Sequence, residues 1–159
     1  MIASGSVRVH GGFLHHPEIA APLTDLELAL ALKEDALVLE RASASLVSGE
    51  LELAGRLPLG LLPLELPPVF PRTRAPARFE LKLQDVPLGE LGYRPGGVSG
   101  TLDLRASGEA PALEAAALRA DVTLDRLRLA IKDYAVETAE PSTIRVGGGV
   151  ARTERFRLT

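Results

Sequence analysis

Apolar and polar residues alternate along most of this chain. In "DLELALALK", residues 25–33, Leu26, Leu28, Leu30 and Leu32 alternate with Glu27, Ala29, Ala31 and Lys33. Successive side chains on a strand point to opposite faces, so the four leucines form one apolar face of a strand. On a helix, residues two apart are turned by about 200° and the leucines form no stripe. The same alternation recurs in "SVRVH", "ALVLERASASL", "ELELAGRL", "RFELKLQ", "TLDLRAS", "LRADVTLD", "RLRLAIK", "STIRV" and "RFRLT", which makes ten candidate strands. Turn signals fall between them at Lys33-Glu34-Asp35, Ser48-Gly49, Pro95-Gly96-Gly97, Ser107-Gly108, Pro141-Ser142 and Gly147-Gly148-Gly149. Short strands separated by such residues predict an antiparallel meander.

"APALEAAALRADVTLD" departs from this rhythm, because its alanines and leading Pro111 resemble a helix start. From Leu118 the alternation of Leu118, Ala120, Val122 and Leu124 with Arg119, Asp121, Thr123 and Asp125 predicts strand again. Two short helical turns are expected, at Gly60–Leu64 and Pro87–Leu91, where proline suits a first helical position. "SGSVRV" at Ser4, "SGELEL" at Ser48 and "SGTLDL" at Ser99 share one form, and "GGGVARTERFRL" from Gly147 is a looser copy. Glycine there supplies the positive φ or close approach needed before a strand. The chain 1–159 therefore reads as one β-repeat segment, with approximate repeats starting near 4, 48, 99 and 147. Repeats of this kind stack into an elongated array.

A length of 159 residues is one domain's worth. The formal net charge of -3 carries no basic footprint for nucleic acid. Cysteine is absent, which excludes thiolate metal sites, disulfides and cysteine nucleophiles and fits an oxidising compartment. No apolar run is long enough to span a bilayer, and "MIASGSVRVHGG" lacks the form of a signal peptide. The final "ERFRLT" stops within a strand pattern, as expected of an internal fragment of a larger protein.

"GSVRVHGGFLHHPEIAAPLTDLELALAL", "LVLERASASLVSGELELAGRLPL", "VSGTLDLRASGEAPALEAAALRADVTLDRLRL" and "AEPSTIRVGGGVARTERFRL" follow one order. A glycine-led strand leads to a proline-bearing loop, a "PLTDL" strand entry and a leucine-alternating pair, which ends at a fresh "SG" strand. In this order the chain resembles the TamB family, the translocation-and-assembly-module proteins of the diderm envelope, and the related AsmA-like proteins. The resemblance implies an all-β fold: an elongated, curled antiparallel sheet of about ten strands, a β-taco or half-pipe, apolar on its concave face. It implies a periplasmic location, with the full-length protein anchored in the inner membrane. It also implies a hydrophobic groove for phospholipid transport to the outer membrane, in support of outer-membrane biogenesis. The partners implied are phospholipid acyl chains and an outer-membrane barrel assembly protein. An alternative role is a scaffold that templates outer-membrane β-barrel proteins through exposed strand edges. No single residue is fixed by the family pattern.

The alternation itself nominates the groove lining: Val7, Val9, Leu26, Leu28, Leu30, Leu32, Leu37, Leu39, Leu51, Leu53, Leu81, Leu83, Leu102, Leu104, Leu127 and Leu129. The same stripe also fits the core of a closed β-sandwich. Aromatics make up only 4% and tryptophan is absent, whereas sandwich cores lean on large rings to fill their centres. A trough has no centre to fill. An isolated fragment of this kind is expected to pair into a homodimer through its apolar face or its strand edges.

Catalytic chemistry finds little purchase, and the chain reads as a non-enzyme that needs no cofactor or metal. His10, His15, His16 and Glu18 lie close together, but adjacent His15 and His16 would point to opposite faces if extended. The glycines at 147–149 lack the Lys-Ser or Lys-Thr of a phosphate loop, and no serine stands in a nucleophile elbow. Glu27, Glu50, Glu52 and Asp103 fall at outward strand positions, where solvation accounts for them.

Overall fold

The computed structural model describes residues 4–15, 21–63, 75–90, 98–153 and 157–159. They form ten strands: β1 (Gly5–Leu14), β2 (Leu23–Lys33), β3 (Ala36–Leu46), β4 (Gly49–Pro58), β5 (Ala77–Pro87), β6 (Val98–Ala110), β7 (Arg119–Ile131), β8 (Tyr134–Glu137), β9 (Ser142–Gly147) and β10 (Val150–Thr153). All pair antiparallel in one open, curled sheet of order β1-β2-β3-β4-β5-β6-β7-β9-β10, with β8 also on β7. The meander expected from the alternation is thus the observed architecture. Short 3₁₀ turns occupy Leu59–Leu61, Leu88–Glu90 and Ala115–Ala117. The first two overlap the helical turns expected from the sequence.

Strand β7 has thirteen residues and takes two partners end to end, β9 on Arg119–Leu124 and β8 on Arg128–Ile131. Pro141, which has no N–H to donate, stands in the break between those partners. Thr138 closes the gap: its N–H donates to the Leu127 carbonyl at 2.9 Å, and its Oγ1 accepts from the Leu127 N–H at 3.0 Å. The terminal residues pair beside β8, with Glu137 and Thr159 each donating a backbone N–H to the other's carbonyl at 3.0 Å.

Several boundaries differ from the sequence expectation, and irregular register is the main reason. "LRADVTLD" and "RLRLAIK" are one strand, because a register shift on β7 places Leu124 and Leu127 three apart on the same face. The other shifts fall between Val9 and Gly12, Gly12 and Leu14, Thr24 and Glu27, Ala29 and Leu30, Leu39 and Ala42, and Leu83 and Val86. Each inserts residues that break the period of two, bends its strand and adds right-handed twist, so the sheet curls. Asp25 and Asp85 take positive φ at two of these irregularities, where aspartate is tolerated. The Asp85 N–H, displaced from the ladder, donates to Asp103 Oδ1 at 2.6 Å.

Ser107-Gly108 is no turn; it lies inside β6. Of the strand-leading glycines, Gly49 and Gly100 answer to close approach. A Cβ on Gly49 would come within 2.6 Å of Val86 Cα, and one on Gly100 would run into the Arg128 carbonyl oxygen. Gly5 has open space and ordinary φ, so nothing there requires glycine. The β8 and β10 strands were not among the ten expected. Pro95-Gly96-Gly97 and the start of "RFRLT" lie outside the described residues.

Burial is sparse for a chain this long. Among the described residues the buried apolar set is nine side chains, five of them alanine. Leu46, at 3% exposure, and Val86, at 2%, lie by the approach of Gly49 at one rim of the sheet. Ala36, Pro58 and Leu59 form a second small cluster at the opposite rim, where the Leu59 N–H donates to the Asp35 carbonyl at 2.7 Å. Among the described residues no second sheet covers either face.

Candidate functional site, an uncovered apolar face

Residues paired directly across an antiparallel sheet point to the same side. Following the pairs therefore tells which side chains share a face. One row runs Val9, Leu28, Ala42, Leu53, Leu81, Ala106, Val122, Ile144 and Thr153, crossing β1 to β7 and then β9 and β10. A second row on the same face runs Val7, Leu30, Leu39, Gly55, Phe79, Gly108, Ala120, Val146 and Ala151. Strands lie about 4.8 Å apart, so each row extends for roughly 38 Å. Neither row contains a charged residue.

All sixteen residues nominated by the alternation fall on this one face. Leu26 pairs with Gly12, and Leu32 with Gly5 and Leu37. Leu51 pairs with Leu83, which pairs with Leu104, and Leu102 pairs with Leu127. Leu129 pairs with Gly100 and Val136. Val7 and Val9, on the edge strand, are exposed, while the fourteen leucines are half-buried. That intermediate burial is what a side chain gains from lateral neighbours in a single layer.

The face also holds residues that the sequence reading did not nominate for the groove. Val122, Leu124, Ile144 and Val146 alternate with polar residues inside segments read as strands, so the signal was present. Ala42 and Ala106 carry none, since alanine is common on either face. Among the described strand residues, polar side chains on the face sit on its last strands, with Tyr134 of β8 paired to Ile131. There Ser142, 4% exposed, and Thr153 share a hydrogen bond at 3.5 Å between their hydroxyl oxygens.

The opposite face is charged and knitted across strands. Arg41 pairs with Glu52 at 2.6 Å, Arg56 with Asp35 at 2.7 Å and Arg128 with Glu137 at 2.9 Å. Arg105 holds Asp125 through both carboxylate oxygens, Nε to Oδ2 at 2.7 Å and the second nitrogen to Oδ1 at 2.5 Å. That hydrogen bonding is the main reason the Asp125 carboxyl titrates below its ordinary value, and the Arg105 guanidinium is held above its own. Lys33 lowers Glu40 in the same way, mainly by a hydrogen bond. Exposed pairs of this kind contribute little each; their effect is to keep this face wet and the leucine face the only apolar one.

Two shallow clefts lie on this polar face. One is lined by Arg56, Arg78, Glu109, Arg119, Arg145 and Arg152 among others, the second by Arg41, Glu52, Lys82 and Arg105. Leu53 and Leu81 of the leucine stripe also line the second.

Metal chemistry has no constellation here. Among the described residues no three His, Cys, Asp or Glu side chains gather in a group that could hold an ion. His10 and His15 are exposed, while His16 and Glu18 lie outside the described residues. Comparison with family models, with curated proteins and with solved structures finds no match.

Proposed function

We propose that this chain is a segment of a periplasm-spanning envelope protein whose apolar face carries phospholipid acyl chains to the outer membrane and so supports outer-membrane biogenesis. The observation that carries the reading is the pair of charge-free rows crossing β1 to β7, β9 and β10 of an open sheet that no second sheet covers among the described residues. Each buried methylene is worth about 0.8 kcal/mol, so a tail of about 16 carbons laid on such a face gains on the order of 10 kcal/mol gross over water. No directional bond fixes the tail, so sliding from one rung to the next costs little. The resemblance to the TamB family implies the same role. Mass spectrometry of an organic extract of the purified protein tests it: copurified phospholipid is expected, and its absence after expression in a diderm host contradicts the proposal.

A second reading is favoured by the edge of the sheet. Strand β1 is ten residues long, pairs only with β2 among the described residues, and is exposed throughout except at Gly12. A free edge of that length can add another strand by backbone hydrogen bonding, as a scaffold for outer-membrane β-barrel proteins would. Under this reading a strand-forming peptide pairs with β1 while acyl chains leave the protein unbound. The free edge and the apolar face are also the two surfaces through which two copies would join.

A further inference from the structure

The polar face is not evenly charged. Its larger cleft, about 1190 Å3, is lined by five arginines against three carboxylates, although the whole chain is net negative. Two pairs of these arginines stand directly opposite each other in register, Arg56 with Arg78 across β4 and β5, and Arg145 with Arg152 across β9 and β10. Like charges at such positions lie about 5 Å apart at Cβ and destabilise the sheet. Arg56 is paired with Asp35 at 2.7 Å and Arg145 with Asp121 at 3.7 Å, while Arg119, which lies between the two pairs on β7, and Arg152 form no ion pair among the described residues. Arg78 reaches Glu109 only at 4.0 Å.

We propose that this arginine cleft is a phosphate-binding site that takes the headgroup phosphate of a lipid. Guanidinium groups at cross-strand spacing can offer several N–H donors to one tetrahedral anion, and an anion between them lowers the repulsion that Asp35 and Asp121 leave. The lipid source follows from the position of the cleft. Arg119 opens β7, Arg78 is the second residue of β5 and Arg56 stands two residues from the end of β4, so all three lie at one rim of the sheet. Directly across that row, the apolar face carries Gly55, Gly108 and Ala120. A lipid whose tails lie on the apolar face has its phosphate at the rim, within reach of a side chain as long as arginine. This identification of the ligand rests on the lipid-carrying reading above, whereas the anion chemistry of the cleft does not.

Phosphatidic acid and diacylglycerol with identical tails separate the two. The wild-type protein is expected to bind phosphatidic acid at least about tenfold more tightly, the scale of one charge-assisted hydrogen bond. The triple substitution Arg56→Gln, Arg78→Gln and Arg119→Gln is expected to erase that preference and leave diacylglycerol binding intact, which also reports that the sheet is folded. Arg128→Gln, on the polar face outside the cleft, keeps the preference. Equal binding of the two lipids by the wild type, or a preference that survives the triple substitution, overturns the headgroup site while leaving the tail-binding face standing. Failure of both lipids to bind overturns the lipid source together with the function proposed above. Inorganic phosphate alone binding as tightly as phosphatidic acid makes the cleft a free-anion site and likewise overturns the lipid assignment.

Discussion

Phe79 lies over Gly108. The two are paired across β5 and β6 on the apolar face, and a Cβ built on Gly108 would come within 2.7 Å of the ring's Cε1 and 2.5 Å of the Arg119 carbonyl oxygen. The ring fills the space that the glycine leaves, so the second apolar row stays continuous there. Gly108→Ala is expected to destabilise the protein by about 1–3 kcal/mol, the usual cost of overpacking. Gly5→Ala meets open space and is expected to stay within roughly 0.5 kcal/mol of wild type. Urea unfolding of the two variants checks both.

The β3–β4 hairpin carries strain. Val47, in its tight turn, has φ of 56° and is 67% exposed. A β-branched residue is poorly suited to the left-handed region, and its exposed side chain gains little burial in return. Asparagine tolerates that conformation, so Val47→Asn is expected to raise stability by roughly 0.5–1 kcal/mol. The thermal midpoint should move upward, and a lower midpoint would count against the strain.

Stability is concentrated where burial is, not along the leucine stripe. Leu46→Ala removes a side chain only 3% exposed and is expected to cost about 2–4 kcal/mol. Val7→Ala, at 56% exposure on the edge strand, is expected to cost well under about 1 kcal/mol. Differential scanning calorimetry should rank them in that order. A protein with a sealed sandwich core would lose comparable stability at both.

Acid should weaken the polar face. Asp125 and Glu40 are held below their ordinary values of 3.8 and 4.5, chiefly by hydrogen bonds from Arg105 and Lys33. A carboxyl lowered in the folded state contributes stability that is fully present above its unfolded value and is lost as pH falls through the folded one. The loss is therefore expected below about pH 4, and Asp125→Asn should flatten that limb of the stability profile. Because both pairs are exposed, high salt should flatten it further. Unfolding midpoints across the acid range, with and without Asp125→Asn, provide the check.

The sheet was legible because charge and leucine alternate with few exceptions. Glu50, Glu52 and Asp103 stand opposite in phase to Leu51, Leu53 and Leu102, and a period of two admits only one way of facing them. Register irregularities were not legible. The step from Leu124 to Leu127 looks like the end of one strand and the start of another, although the pairing runs straight through it. The Ser107-Gly108 pair reads as a turn until Phe79 is seen against it. Nor does any local signal join Arg56 to Arg78 or Arg145 to Arg152, because charges meet across strands only once the register is known. The nominated leucines share a face because those of each strand lie on one side of its irregularity, where the period of two holds.

A phospholipid carrying a photoreactive group in its acyl chain tests the central claim most directly. After irradiation, adducts are expected on apolar-face residues of several strands, such as Leu53, Leu81 and Val122, and not on their polar-face neighbours Glu52, Lys82 and Thr123. Leu30→Arg, which sets a charge within the second row, should reduce that labelling sharply. Adducts confined to the polar face, or labelling unchanged by Leu30→Arg, would contradict an acyl-carrying apolar face.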